Sequence, residues 1–178
     1  MIKATCIIGN PYVPSRVHVL GRHLFTSLKD DGIDTTIIDL VDLLNKMDMV
    51  DPKKRKDALS LEIDLLLDVD LILVVSPIYR ASYPGMVKAF FDELPHEALI
   101  NKVALPIMVG GTDRHYLATR YTWAVMLQEL GAIVPKALFI LDSSIDKERD
   151  LISDEAIESF REPLKISLAI ANALEIGR

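Results

Sequence analysis

Short apolar runs, continuous rather than alternating, punctuate the chain: "IKATCII" (2–8), "TTIID" (35–39), "LILVV" (71–75), "VALPIMV" (103–109) and "KALFIL" (136–141). β-Branched runs of this length, bounded by turn residues, suit strands buried on both faces. Between them the apolar positions fall at helical spacing. Val17, Leu20, Leu24 and Leu28 recur every three or four residues, and Gly32 follows as a stop. Residues 55–67 and 84–94 read as further helices, the second opening on "YPG". Residues 113–130 make a longer one, with Thr112 or Asp113 placed to cap it. Residues 154–175 form the last, carrying Ile157, Phe160, Leu164, Leu168 and Ala171, with Pro163 inside as a candidate kink.

Strand and helix therefore alternate from end to end, which predicts a parallel sheet covered by helices on both faces. The expected class is α/β: a flavodoxin-like three-layer sandwich with five parallel strands in the order 2-1-3-4-5. A length of 178 residues suits one such domain, spanning 1–178. In this fold the ligand crevice lies beyond the carboxyl ends of the strands, near the first and third.

The loops expected at that edge are the most unusual stretches of the chain: "GNPYVPSR" (9–16), "SPIYRASYPG" (76–85) and "GGTDRH" (110–115). The stretch after the second strand, "LVDLLNKMD", carries nothing comparable. The first loop leads into a helix N-terminus, where free amides and the helix dipole favour an anion. Ser15 adds a hydroxyl, Asn10 an amide and Arg16 a charged donor. The same residues also make an ordinary turn in which Ser15 only caps the helix. Neither a Walker ending nor a dinucleotide fingerprint is present. In the second loop Pro77 fixes the backbone, and Ile78 and Tyr79 bring flat apolar surface to the crevice. Gly85 is expected to let the following helix pack closely. Gly110 and Gly111 allow a backbone to approach a planar ligand, or simply make a turn.

Composition narrows the partners. Half of the residues are apolar, enough for a full core. A formal charge of −6 argues against nucleic acid. Cys6, the single cysteine, lies in an apolar run and reads as a core thiol in a reducing compartment. No apolar run approaches a membrane span and no leader is visible, so a soluble cytoplasmic protein with no membrane partner is expected. The run "DPKKRKD" (51–57) reads as a solvated helix start. His18, His23, His96 and His115 show no zinc spacing, so no metal is expected. "PHEAL" reads as a surface turn, and no Gly-x-Ser-x-Gly elbow supports a serine hydrolase.

Taken together, "GNPYVPSR", "SPIYRASYPGMVKAFFDELP", "NKVALPIMVGGT" and "HYLATRY" resemble the flavodoxin-like NAD(P)H-dependent FMN reductases. The likeness is strongest to the branch that supplies reduced flavin to two-component sulfonate monooxygenases. The resemblance implies an FMN phosphate on Asn10, Ser15 and Arg16, and an isoalloxazine edge against Pro77, Ile78, Tyr79, Arg80, Gly110, Gly111 and Thr112. Tyr121 matches a tyrosine that, in this branch, lies on a π-turn at a subunit interface near the flavin; on the stripe Leu117, Tyr121, Ala124 it is equally an ordinary core or interface residue. The chain departs from the family in its first loop. Asn10 replaces a serine, Tyr12 a basic residue and Val17 a second serine.

The resemblance implies an oxidoreductase passing hydride from NADPH or NADH to FMN, with no side chain as nucleophile or general base. It also implies a homodimer or homotetramer built on "PGMVKAFFDEL" and "RYTWAVMLQEL", whose Met86, Phe90, Phe91, Trp123 and Met126 supply apolar surface. Alternatives stand beside it: an FMN-containing reductase of quinones, azo dyes or metal oxyanions, and a non-enzymatic electron carrier or assembly protein on the same fold.

Overall fold

The computed structural model describes residues 1–44, 46, 48 and 50–177. Five strands, β1 (Lys3–Ile8), β2 (Asp34–Asp39), β3 (Leu71–Pro77), β4 (Val103–Gly110) and β5 (Leu138–Leu141), form one sheet in the order β2-β1-β3-β4-β5. Every neighbouring pair is parallel, with Cys6 opposite Ile37 and Leu73, and Val75 opposite Ile107. This is the expected flavodoxin-like order. Among the described residues six α-helices connect or follow the strands: α1 (Arg16–Asp30), α2 (Pro52–Ala58), α3 (Ser60–Leu67), α4 (Gly85–Phe91), α5 (Tyr116–Glu129) and α6 (Asp154–Ile176).

Because side chains alternate across a strand, the sheet feeds two cores. Ala4, Cys6 and Ile8 of β1 pack with Leu20 and Leu24 of α1 and Leu164 of α6. Ile7, Ile72 and Val74 face the other way, toward Ile63 of α3, Phe90 of α4 and Trp123 of α5. Cys6 is fully buried, and burial pushes its thiol up to about 12.

Local chemistry moves several boundaries. The expected helix over 55–67 starts earlier, because Asp51 accepts the amides of Lys53 and Lys54 and Pro52 occupies the first turn. It then breaks at buried Leu59, where φ is −103° and ψ is 1°. The expected helix over 84–94 ends at Phe91; Glu93 and Leu94 bond back in tighter turns ahead of Pro95, which disfavours helical backbone before it. α6 runs through Pro163 without interruption. Of "LVDLLNKMD", Leu40–Leu43 make a 3-10 turn capped by Asp39, while Asn45 and Met47 lie outside the described residues. A short antiparallel hairpin, β6 (Ile145–Asp146) with β7 (Leu151–Ile152), has no counterpart in the hydrophobic pattern.

The close approach between α4 and the sheet is made by Gly9, not by Gly85 as expected. A Cβ on Gly9 would stand 2.5 Å from Val87 Cγ2, whereas one on Gly85 would meet nothing within 4 Å. α4 thus leans on the end of β1, next to the loop that follows it.

Candidate functional site

Gly9 N–H donates to Val75 O at 2.8 Å, and Ile78 N–H donates to Val109 O at 3.0 Å. These bonds pin the exits of β1 and β3 to their neighbours. Beyond the exits opens a cavity of about 250 Å³.

Its first wall is the β1–α1 loop, with Asn10, Pro14, Ser15, Arg16 and Val17. Asn10 is buried; its Oδ1 accepts Tyr12 N–H at 3.3 Å and the Tyr79 hydroxyl at 3.5 Å. Its amide nitrogen has no bond among the described residues. Ser15 caps α1, its Oγ accepting His18 N–H at 3.3 Å. The amides of Arg16 and Val17, at the first turn, have no partner among the described residues, as a helix start dictates. Arg16 Nε donates to Ile145 O at 3.0 Å, and its terminal guanidinium nitrogens make no bond among the described residues. Free amides, an amide side chain and a guanidinium therefore converge at a positive helix end.

The walls after β3 and β4 are largely apolar. Pro77, Ile78 and Tyr79 follow β3, and Val109, Gly110 and Gly111 end β4. A Cβ on Gly110 would stand 2.9 Å from Phe139 Cε2, so a larger residue there would have to displace that ring. Burial pushes the Tyr79 phenol up, keeping it a neutral donor.

Three residues implied by the resemblance, and Tyr12 at the family's basic position, do not line this cavity. Tyr12 is 68% exposed. Arg80 is carried off by a tight turn closed by Tyr79 N–H to Ser82 O at 2.7 Å, with Arg80 and Ala81 at φ of 52° and 61°. Thr112 is used locally, its Oγ1 accepting Arg114 N–H at 3.4 Å. Tyr121 stands away from it on α5, which is α-helical throughout Tyr116–Glu129 with no π-turn. Tyr121 and Leu117 are exposed, so the stripe through them is not core; the buried face carries Thr119, Trp123 and Leu127. Met86, Phe90, Phe91 and Trp123 are likewise spent in the interior.

Two polar residues that sequence reading missed complete the cavity: Asp142, after β5, and Lys147, in the β6–β7 turn. The rule that loops at the carboxyl edge carry function pointed to this loop as well, but "DSSIDKERD" has the look of a solvated surface. Among the described residues no group of three or more His, Cys, Asp or Glu is placed to hold a metal, and no helix is long and apolar enough to cross a membrane.

A parallel sheet in this order, with an anion-favouring loop after β1 and apolar walls after β3 and β4, defines the flavodoxin-like class of α/β proteins. Residues 2–146 match the family of NADPH-dependent FMN reductases. An FMN reductase (NADPH) of Pseudomonas aeruginosa is 31% identical over 172 residues, 95% of this chain and 88% of the relative. The NADH-dependent FMN reductase SfnF of Pseudomonas fluorescens is 31% identical over 118 residues, 65% of this chain and 63% of that protein. The apo crystal structure of the NADH:FMN oxidoreductase EmoB superposes with a TM-score of 0.74 at 27% identity, covering 98% of this chain and 87% of that one. The chain belongs to the NADPH-dependent FMN reductase family.

Proposed function

We propose that the chain, as one domain over 1–178, reduces FMN with NADPH or NADH in the cavity beyond β1, β3 and β4. The observation that carries this reading is the unspent donor set. Two free amides, the Asn10 amide and the Arg16 guanidinium face a space whose walls after β3 and β4 are apolar. A phosphate satisfies such donors, and a planar ring system satisfies such walls.

Bound there, FMN would supply the redox chemistry, taking hydride from the nicotinamide. The chain's own residues bind and orient. Asn10, Ser15, Arg16 and the amides of Arg16 and Val17 hold the phosphate. Pro77, Ile78 and Tyr79 meet one edge of the ring, and the Gly110–Gly111 backbone meets the other. Tyr12, Arg80, Thr112 and Tyr121 stay outside this contact set. Nothing in the chain needs to act as nucleophile or general base.

The first loop offers fewer hydroxyls than the family pattern, since Asn10 and Val17 stand where serines are usual. Fewer charge-assisted bonds favour a flavin that comes and goes as a substrate. Reduced FMN then passes to a flavin-dependent monooxygenase in the cytoplasm, as the sulfonate-branch likeness suggests. Tyr116, Leu117, Tyr121 and Val125 are 49%, 58%, 66% and 62% exposed on one helix, an apolar face that supports a homo-oligomer built on α5.

Anaerobic mixing of the protein with FMN and excess NADPH or NADH tests the reading. Catalytic loss of oxidised-flavin absorbance is expected, and a rate equal to that without protein overturns it.

A further inference from the structure

We propose that Lys147 is the second phosphate-binding cation of this site and makes it select FMN over riboflavin. The inference rests on the reading that FMN occupies the cavity. The first loop lacks the basic residue that the family places at Tyr12, and Tyr12 itself points to solvent. A cation nonetheless reaches the cavity from another part of the chain: Lys147 lines it together with Ser15 and Arg16. Lys147 stands just past the segment matched by the family, which ends at residue 146.

The hairpin that carries Lys147 is bolted to α1. Arg16 Nε holds the Ile145 carbonyl at 3.0 Å, and Arg22 pairs with Asp150 at 2.5 Å. Ile145 is buried in the α1 core and pairs with Ile152. Within the turn, Asp146 Oδ1 accepts the amides of Glu148 and Arg149 at 3.0 and 3.1 Å, closing the backbone around Lys147. Arg16 thus has two tasks, offering its terminal nitrogens to the cavity and fixing the hairpin that brings in the second cation.

The ammonium is available. Among the described residues it pairs with Glu148, 3.6 Å away, whose side chain is 79% exposed. Such a water-screened pair is weak and yields readily to a dianion. Asp142 also lines the cavity, and its Oδ2 would stand 3.4 Å from a Cβ on Gly111, at the β4 end. With that carboxylate present, Arg16 alone would leave the lining without net positive charge; Lys147 restores it. Riboflavin lacks the phosphate and gains nothing from the ammonium, so the residue discriminates between the two flavins.

The test is a flavin-fluorescence titration of the full chain and its Lys147→Gln and Lys147→Arg variants with FMN and with riboflavin. Lys147→Gln is expected to weaken FMN about tenfold, with riboflavin binding unchanged, and Lys147→Arg to retain FMN affinity. The salt dependence of FMN binding is expected to flatten in Lys147→Gln only. Wild-type protein that binds FMN with no difference in Lys147→Gln overturns the role of Lys147 and leaves the site standing. An equal loss for both flavins also overturns it, and wild-type protein that binds neither flavin overturns the site itself.

Discussion

Ser15 Oγ lies 2.6 Å from His18 Nδ1 while accepting the same residue's backbone N–H at 3.3 Å. One histidine therefore holds the capping hydroxyl twice. The far ring nitrogen, Nε2, stands 3.0 Å from Asp39 Oδ2, near in distance but out of hydrogen-bond alignment. Asp39 ends β2, so the start of α1 is referenced to two strands, β1 through the loop and β2 through this contact. Ser15→Ala removes both the cap and the proposed phosphate ligand. The expected loss is about 1 kcal/mol of stability, a fall of about 2–4 °C in Tm, with weaker FMN binding. Ser15→Thr is expected to keep both. Thermal melts and flavin titrations of the two variants check this.

Gly9 and Gly85 make a matched pair. Gly9→Ala drives a methyl into Val87 Cγ2 at 2.5 Å, and overpacking of this kind costs about 1–3 kcal/mol. Gly85→Ala enters open space at the first turn of α4 and is expected to be neutral or stabilising by up to about 1 kcal/mol. Denaturant midpoints of both variants decide whether the approach of helix to sheet is governed from the strand side.

The sheet order and three of the cavity's walls were legible in the sequence because both follow from regular rules. Strands buried on both faces read as unbroken apolar runs, and the carboxyl edge of such a sheet is where loops carry ligands. The boundaries were less legible where a short-range bond decides them, as at Asp51, Leu59 and Pro95. Lys147 was hidden for another reason. Its hairpin has two-residue strands, too short for any periodicity, and its place in the cavity lining depends on Arg16 and Arg22 reaching over 129 and 128 positions of sequence. Arg80 was misplaced because two left-handed residues turn the chain away, and neither Arg nor Ala announces that conformation.

The thiol of Cys6 is expected to be inert in the folded protein. Its value lies at about 12 against an ordinary 9.0, so the thiolate that reacts with disulfide reagents is absent at neutral pH. Labelling is expected to proceed only through unfolding, and fast labelling of native protein would contradict the burial. The raised value also fixes a sign. The buried thiol keeps its proton while an unfolded one loses it, so this contribution to stability is complete below pH 9.0 and is lost as pH rises toward 12.

The exposed face of α5 predicts association. Tyr121→Glu with Val125→Glu places two charges on that face without touching Thr119, Trp123 or Leu127, which hold the helix to the sheet. Light scattering is expected to show a dimer or tetramer for the natural chain and a smaller species for the double variant. A natural chain that runs as a monomer removes the proposed assembly.

Flavin is expected to be turned over in the cavity beyond β1, β3 and β4. Steady-state oxidation of NADPH and NADH by the purified protein, with and without added FMN, tests it most directly. Oxidation that requires FMN, saturates with it and shifts to higher FMN demand in Arg16→Ala is the predicted result. A rate indifferent to FMN, or an Arg16→Ala protein with the same FMN dependence as the natural chain, would contradict it.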